Sequence, residues 1–198
     1  MTTVLQRSYI AYITTGLHLA GLWEEWRQLG GHIVAVNGKS EFIQPLAIAQ
    51  IMNIPTFIIF DADSDIVTKL QGVNQQTENA RYQKLLAQKS CHENDNTRIL
   101  KLLGQPQHAI FPTQVSWQDD FVVWPENIGS AIESDFLAQD WQRWKQAAQQ
   151  LHGDIGGLEK NTLFIADLLA AAWAEQKTSP TLGKLCQKLI EFAKKSVT

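Results

Sequence analysis

Over its first 60 residues the chain changes its hydrophobic period three times. From about Val4 to Leu29, the residues Leu17, Leu19, Leu22, Trp23 and Trp26 fall mostly at helical spacing, and Gly30-Gly31 closes the stretch. The pattern predicts a helix ending in a glycine C-cap and turn. His32 to Val36 reads as a short strand closed by Asn37-Gly38-Lys39-Ser40, and Glu41 to Met52 as a helix with Pro45 in its first turn. The next run, Thr56 to Phe60, is β-branched and aromatic, opened by Pro55 and ended by Asp61-Ala62-Asp63. A continuous apolar run of that length reads as a strand buried on both faces, as in parallel sheets covered by helices.

The order helix, strand, helix, strand, with short links and no hairpin turn, predicts right-handed βαβ geometry and parallel neighbours. A leading helix with no strand before it means that a first strand is either missing or compressed into Thr2 to Ser8. Past Asp65 the chain is polar through Asn79, which predicts a loop. Helices follow at about Ala80 to Lys89 and, capped by Cys91 to Asn96, at Thr97 to Leu103. Phe121 to Trp124 is the third strand, ended by Pro125. Beyond it the pattern is helical over Glu126 to Leu137, Gln139 to Leu151, Asn161 to Gln176 and Pro180 to Lys195, with Gly153 to Gly157 as the main break. The expected organisation is an α/β domain over 1–137, with core strands at about 32–36, 55–61 and 120–124. A helical C-terminal part, 138–198, packs on the same domain.

Composition narrows the class. At 198 residues, 44% hydrophobic and 19% charged, the chain can bury a core and is no disordered tail. A formal charge of −3 gives no global basic field, so a nucleic-acid partner requires metal ions and local Lys/Arg to neutralise it. Cys91 and Cys186 stand far apart without zinc or disulfide spacing, which makes a reducing cytoplasm the expected compartment. The longest apolar stretch, Leu163 to Ala174, carries Asp167 and falls short of the roughly 20 residues of a membrane span. The N-terminus lacks the basic-then-apolar pattern of a secretory signal.

In open α/β sheets ligands bind outside the carboxyl ends of the strands, where Asp61 and Asp63 fall. Two carboxylates at i and i+2 supply hard oxygen ligands suited to Mg²⁺ or Mn²⁺; the plainer alternative is that they cap the next helix. Asp65 adds a third acid. A calcium loop is excluded, because its sixth and twelfth positions are Ile66 and Gly72. Glu126 and Glu133, with Asp135, follow the third strand and either complete a carboxylate cluster or favour a helix N-terminus. Gly38 and Lys39 lie between a strand and a helix, where backbone N–H groups and an ammonium can hold a phosphate; a plain turn with Ser40 as N-cap is the alternative, and the glycine spacing is not that of a Walker A loop. Lys160 offers a cation for charge developing on a phosphate, or is simply solvated. Cys91-His92 beside Glu93 and Asp95 fits helix capping better than a metal site. Trp23/Trp26 and Trp141/Trp144, each at i, i+3, fit core filling better than base stacking.

Taken together, GGHIVAVNGKSEFIQPLAIAQIMNIPTFIIFDAD, HENDN, LLG, FVVWPENI and LEKNTLFIADLLAAAW, in that order, give a chain that resembles the C-terminal Toprim region of OLD-type (overcoming lysogenization defect) ATP-dependent endonucleases from about Tyr12 to Ala193. The resemblance implies a Toprim fold, a parallel α/β sheet with flanking helices. It implies a divalent-metal-dependent DNA endonuclease acting in phage defence or DNA repair, with one or two Mg²⁺ or Mn²⁺ ions. DNA, an ABC-type ATPase on another chain and a second copy of this chain are the implied partners; no nucleotide is bound by this chain itself, and no membrane is involved. By that likeness Asp61 and Asp63 match the DxD metal ligands, Lys160 the late lysine that faces the scissile phosphate, and Gly38-Lys39 a recurrent turn beside the site. A metal so held polarises the phosphoryl group and activates water.

Two departures qualify the likeness. The first Toprim strand ends in Glu-Gly, whereas Val4 to Ser8 reads VLQRS without an acid, so the first strand is expected to be missing or degenerate. After the third strand, Glu126 and Glu133 flank Gly129 at the place of a later glutamate. Three readings follow: an OLD-type nuclease domain or its weakened remnant, a haloacid-dehalogenase-like phosphatase with Asp61 as nucleophile and Asp63 as acid/base, and a non-catalytic interaction module.

Overall fold

Val4 and Leu5 are wholly excluded from solvent, and they belong to the central part of the sheet. The structure, a computed structural model, describes residues 1–6, 9–153 and 161–197. Its first element is strand β1 (Thr2–Gln6), which pairs in parallel with β2 (His32–Val36) on one side and β3 (Thr56–Asp61) on the other. Of the two alternatives for the first strand, the compressed one is present. Thr2-Thr3-Val4 carries the β-branched side chains that suit a pleated, buried surface. The helix expected over Val4 to Leu29 is therefore corrected to β1, α1 (Ile10–Leu19) and α2 (Trp23–Gln28), the helices being parted by Gly21 at φ 70°.

The sheet order is β2-β1-β3-β5-β4. β5 (Phe121–Trp124) runs parallel to β3, with Ile58 opposite Phe121 and Asp61 opposite Trp124. β4 (Ser116–Trp117) is a two-residue antiparallel edge too short to leave a period in the sequence. A short 3-10 turn (Lys39–Phe42) and α3 (Ile43–Ile51) occupy the predicted second helix.

After β3 the expected loop contains α4 (Asp65–Gln71), and the two expected helices are one, α5 (Asn79–Leu102). Neither glycine nor proline interrupts α5, and His92, Asn96, Ile99 and Leu100 turn toward the molecule while Glu93 and Asn94 face water. The polar run read as a cap is thus largely the outer face of a continuous helix. The helix expected over Glu126 to Leu137 is shortened to α6 (Ile128–Glu133), because the Asn127 side chain accepts from Ser130 N–H and starts it. Then come α7 (Ala138–His152), α8 (Thr162–Ala174), capped by Asn161, and α9 (Pro180–Val197).

Alternating strand residues serve two cores. Val4, Ile58, Phe60, Phe121 and Val123 meet Phe42, Leu46, Ile99 and Leu100 on one face. On the other, Leu5, Phe57, Ile59, Val122 and Trp124 share a larger core with residues of α1, α7, α8 and α9, including Trp141, Trp144 and Leu185. The indoles of α7 are buried, so they fill this core. Gly16 lets α1 approach α9 closely, since a Cβ there would stand 3.0 Å from Cys186 Sγ. Among the described residues, no helix is long and apolar enough to cross a membrane.

Candidate functional site

The carboxyl end of β3 is held by its neighbour's backbone. Ala62 N–H donates to Trp124 O at 2.8 Å and Ser64 N–H to Pro125 O at 2.6 Å, which fastens the turn after Asp61 to the end of β5. Ala62 is fully buried, and Asp61 and Asp63 on either side of it are half-buried. Asp63 adopts a left-handed backbone, φ 52°, and α4 begins two residues later. The conformation is uncommon for an L-residue but well tolerated by aspartate.

Lys39 reaches this corner from the 3-10 turn after β2. Its side chain is 5% exposed, and its ammonium forms an ion pair with the Asp63 carboxylate, although not in regular hydrogen-bond alignment. His92 Nδ1, from α5, lies 3.1 Å from the same oxygen, Asp63 Oδ2. In the preceding loop, Asn37 N–H donates to Glu41 Oε2 at 3.0 Å, so one backbone donor beside Gly38 is already taken by a side chain of the same turn.

Tyr9, just beyond β1, approaches from the other side. Burial first, and then the negative charge of Asp61, push its phenol well above the ordinary tyrosine value; the Ile128 amide opposes this.

The remaining predicted residues are dispersed. Asp65 opens α4 and pairs with Lys69 one turn on, which raises the Lys69 pKa. Glu126 is exposed in the turn after β5, and Glu133 is exposed at the end of α6. Asp135 serves α9, accepting from Thr181 N–H at 3.0 Å and from Ser179. Lys160 lies outside the described residues. His92, Asn96 and Tyr9 were not singled out from the sequence as parts of this corner. A His and an Asn four apart on one helix face are the signal that could have found the first two.

These side chains do not fit a divalent ion as they stand. Among the described residues, no three of His, Cys, Asp and Glu come together in a group able to hold one. Hard cations require several converging oxygens. Here β1, the strand beside β3, ends in the neutral amide Gln6, and two nitrogens already face Asp63.

The sheet is mostly parallel, with an Asp-x-Asp corner at the exit of an inner strand. Residues 17–63 match the family model described as overcoming lysogenization defect protein-like, TOPRIM domain. The fold is similar to the C-terminal region of the Xanthomonas campestris pv. campestris OLD protein, at 13% identity and TM-score 0.54, over 99% of this chain and 96% of that one. It is equally similar to the C-terminal region of the Burkholderia pseudomallei OLD protein, at 12% identity and TM-score 0.54, over 100% and 98%. No curated protein matches the chain. The OLD-like Toprim resemblance of the sequence is thus present in both a family model and a fold.

Proposed function

We propose that this chain is an OLD-type Toprim module derived from a metal-dependent DNA endonuclease, and that it does not cleave DNA by itself. It serves a DNA-processing assembly in phage defence or repair, in the cytoplasm, together with an ABC-type ATPase on another chain. The observation that carries this reading is the composition of β1: the strand between β2 and β3 runs Thr2–Gln6 without an acidic residue, and among the described residues no third carboxylate joins Asp61 and Asp63 in a metal-holding group. Metal-assisted phosphodiester hydrolysis relies on ions fixed by several anionic oxygens. Among the described residues, the acids at this corner are Asp61 and Asp63, and the Lys39 ammonium pairs with Asp63.

The test is nicking of supercoiled plasmid with Mg²⁺ or Mn²⁺ by the wild type and by Asp63→Ala. Equal, background-level nicking is expected. Metal-dependent nicking by the wild type that disappears in Asp63→Ala would overturn the proposal.

A further inference from the structure

We infer that Lys39 is a resident cation, its ammonium standing against Asp63 where a divalent ion would otherwise bind, so that the Asp63 carboxylate is answered without metal. The inference takes from the proposed function only the identity of the corner. A buried ammonium persists only when paired, and Lys39 is almost wholly enclosed with the Asp63 carboxylate against it. The 3-10 turn that carries Lys39 packs against β1, β2 and α5, which places it at the carboxyl end of the strand that ends in Gln6. β1 itself contains no acidic residue, and a positive charge comes from the loop after β2.

The donor pattern on Asp63 agrees. Lys39 Nζ and His92 Nδ1 both approach Oδ2, so this one oxygen is already met by two nitrogens.

The experiment measures Mn²⁺ affinity by titration calorimetry, and by loss of the free-ion paramagnetic signal, for wild type, Lys39→Met and Lys39→Met/Asp63→Asn. Lys39→Met is expected to bind Mn²⁺ at least about tenfold more tightly than wild type, and the double variant to lose that gain. No gain in Lys39→Met, or a gain that survives Asp63→Asn, overturns the inference. A second measurement needs no variant at position 39: about 10 mM Mn²⁺ leaves the wild-type melting temperature unchanged, whereas a rise that Asp63→Asn abolishes would show the ion displacing Lys39. The two readings fail separately. Plasmid nicking by the wild type removes the proposed function, while unchanged Mn²⁺ affinity in Lys39→Met removes only the resident cation.

Discussion

Asn96 Nδ2 donates to the carbonyl of Ala62 at 2.9 Å, and at the same distance to the carbonyl of Ile110. One fully buried amide on α5 thereby holds the residue between Asp61 and Asp63 and the loop that precedes β4. Asn96→Ala leaves two carbonyls without their donor, each costing on the order of 1–2 kcal/mol. Urea unfolding of this variant should show a loss of about 2–4 kcal/mol with an unchanged m-value. A loss of only a few tenths would mean that water replaces the amide.

Removing Asp63 strands the Lys39 ammonium in a nearly closed space. Asp63→Ala is therefore expected to lower stability by about 1–3 kcal/mol, less than for a wholly buried pair because Asp63 is about a third exposed. Adding Lys39→Met should restore part of the loss, which a double-mutant cycle reads as coupling. In a metal site whose carboxylates repel one another without their ion, loss of one acid stabilises the metal-free protein. Melting in the presence of chelator separates the two cases by sign.

Gln6→Glu places an acid at the end of β1. In the wild-type background it should bring little metal affinity, because Lys39 remains against Asp63. Combined with Lys39→Met it should tighten Mn²⁺ binding beyond the single variant by about tenfold or more. Calorimetry on the two backgrounds checks this, and equal gains in both would show that the lysine does not compete.

Cys186 and Tyr9 set the alkaline limit of the fold. Burial pushes the Cys186 thiol from 9.0 up to about 12, and burial followed by Asp61 raises the Tyr9 phenol above 10.0. Both groups hold their protons more tightly when folded, so their contribution is complete below the unfolded values and is lost as pH rises through the folded ones. Stability should be flat in these groups at neutral pH and fall above about pH 9, by at most about 1.4 kcal/mol per pH unit for each group. Denaturant midpoints between pH 8 and 11 test it, and Cys186→Ala should flatten the first part of the decline.

How much of this was legible in the sequence depended on how each segment announces itself. β2, β3 and β5 are apolar runs bounded by turn residues, and each lies where the pattern puts it. β1 is short, and its Val4 to Gln6 fell within the helical period read from Val4 to Leu29, so a strand at Thr2 to Ser8 stood only as an alternative. α5 was divided because the polar stretch around His92 reads as a cap when its faces are not separated. At the site, the Asp-x-Asp position followed from the strand's end. Its partners did not, because Lys39 lies across the sheet and His92 and Asn96 come from a helix beyond an intervening one. Side-chain partners brought together by tertiary packing leave no local period.

The corner at Ala62 has a kinetic consequence. Its bonds join segments 34 residues apart through Asn96, and join β3 to β5 through Trp124 O. Contacts of such separation form only after the intervening chain has closed its loops. The turn therefore has no strong local nucleus and completes when α5 and β5 dock. Amide exchange at Ala62 should then follow the sub-global opening of those elements, at rates set by them, and not the fraying of a surface turn.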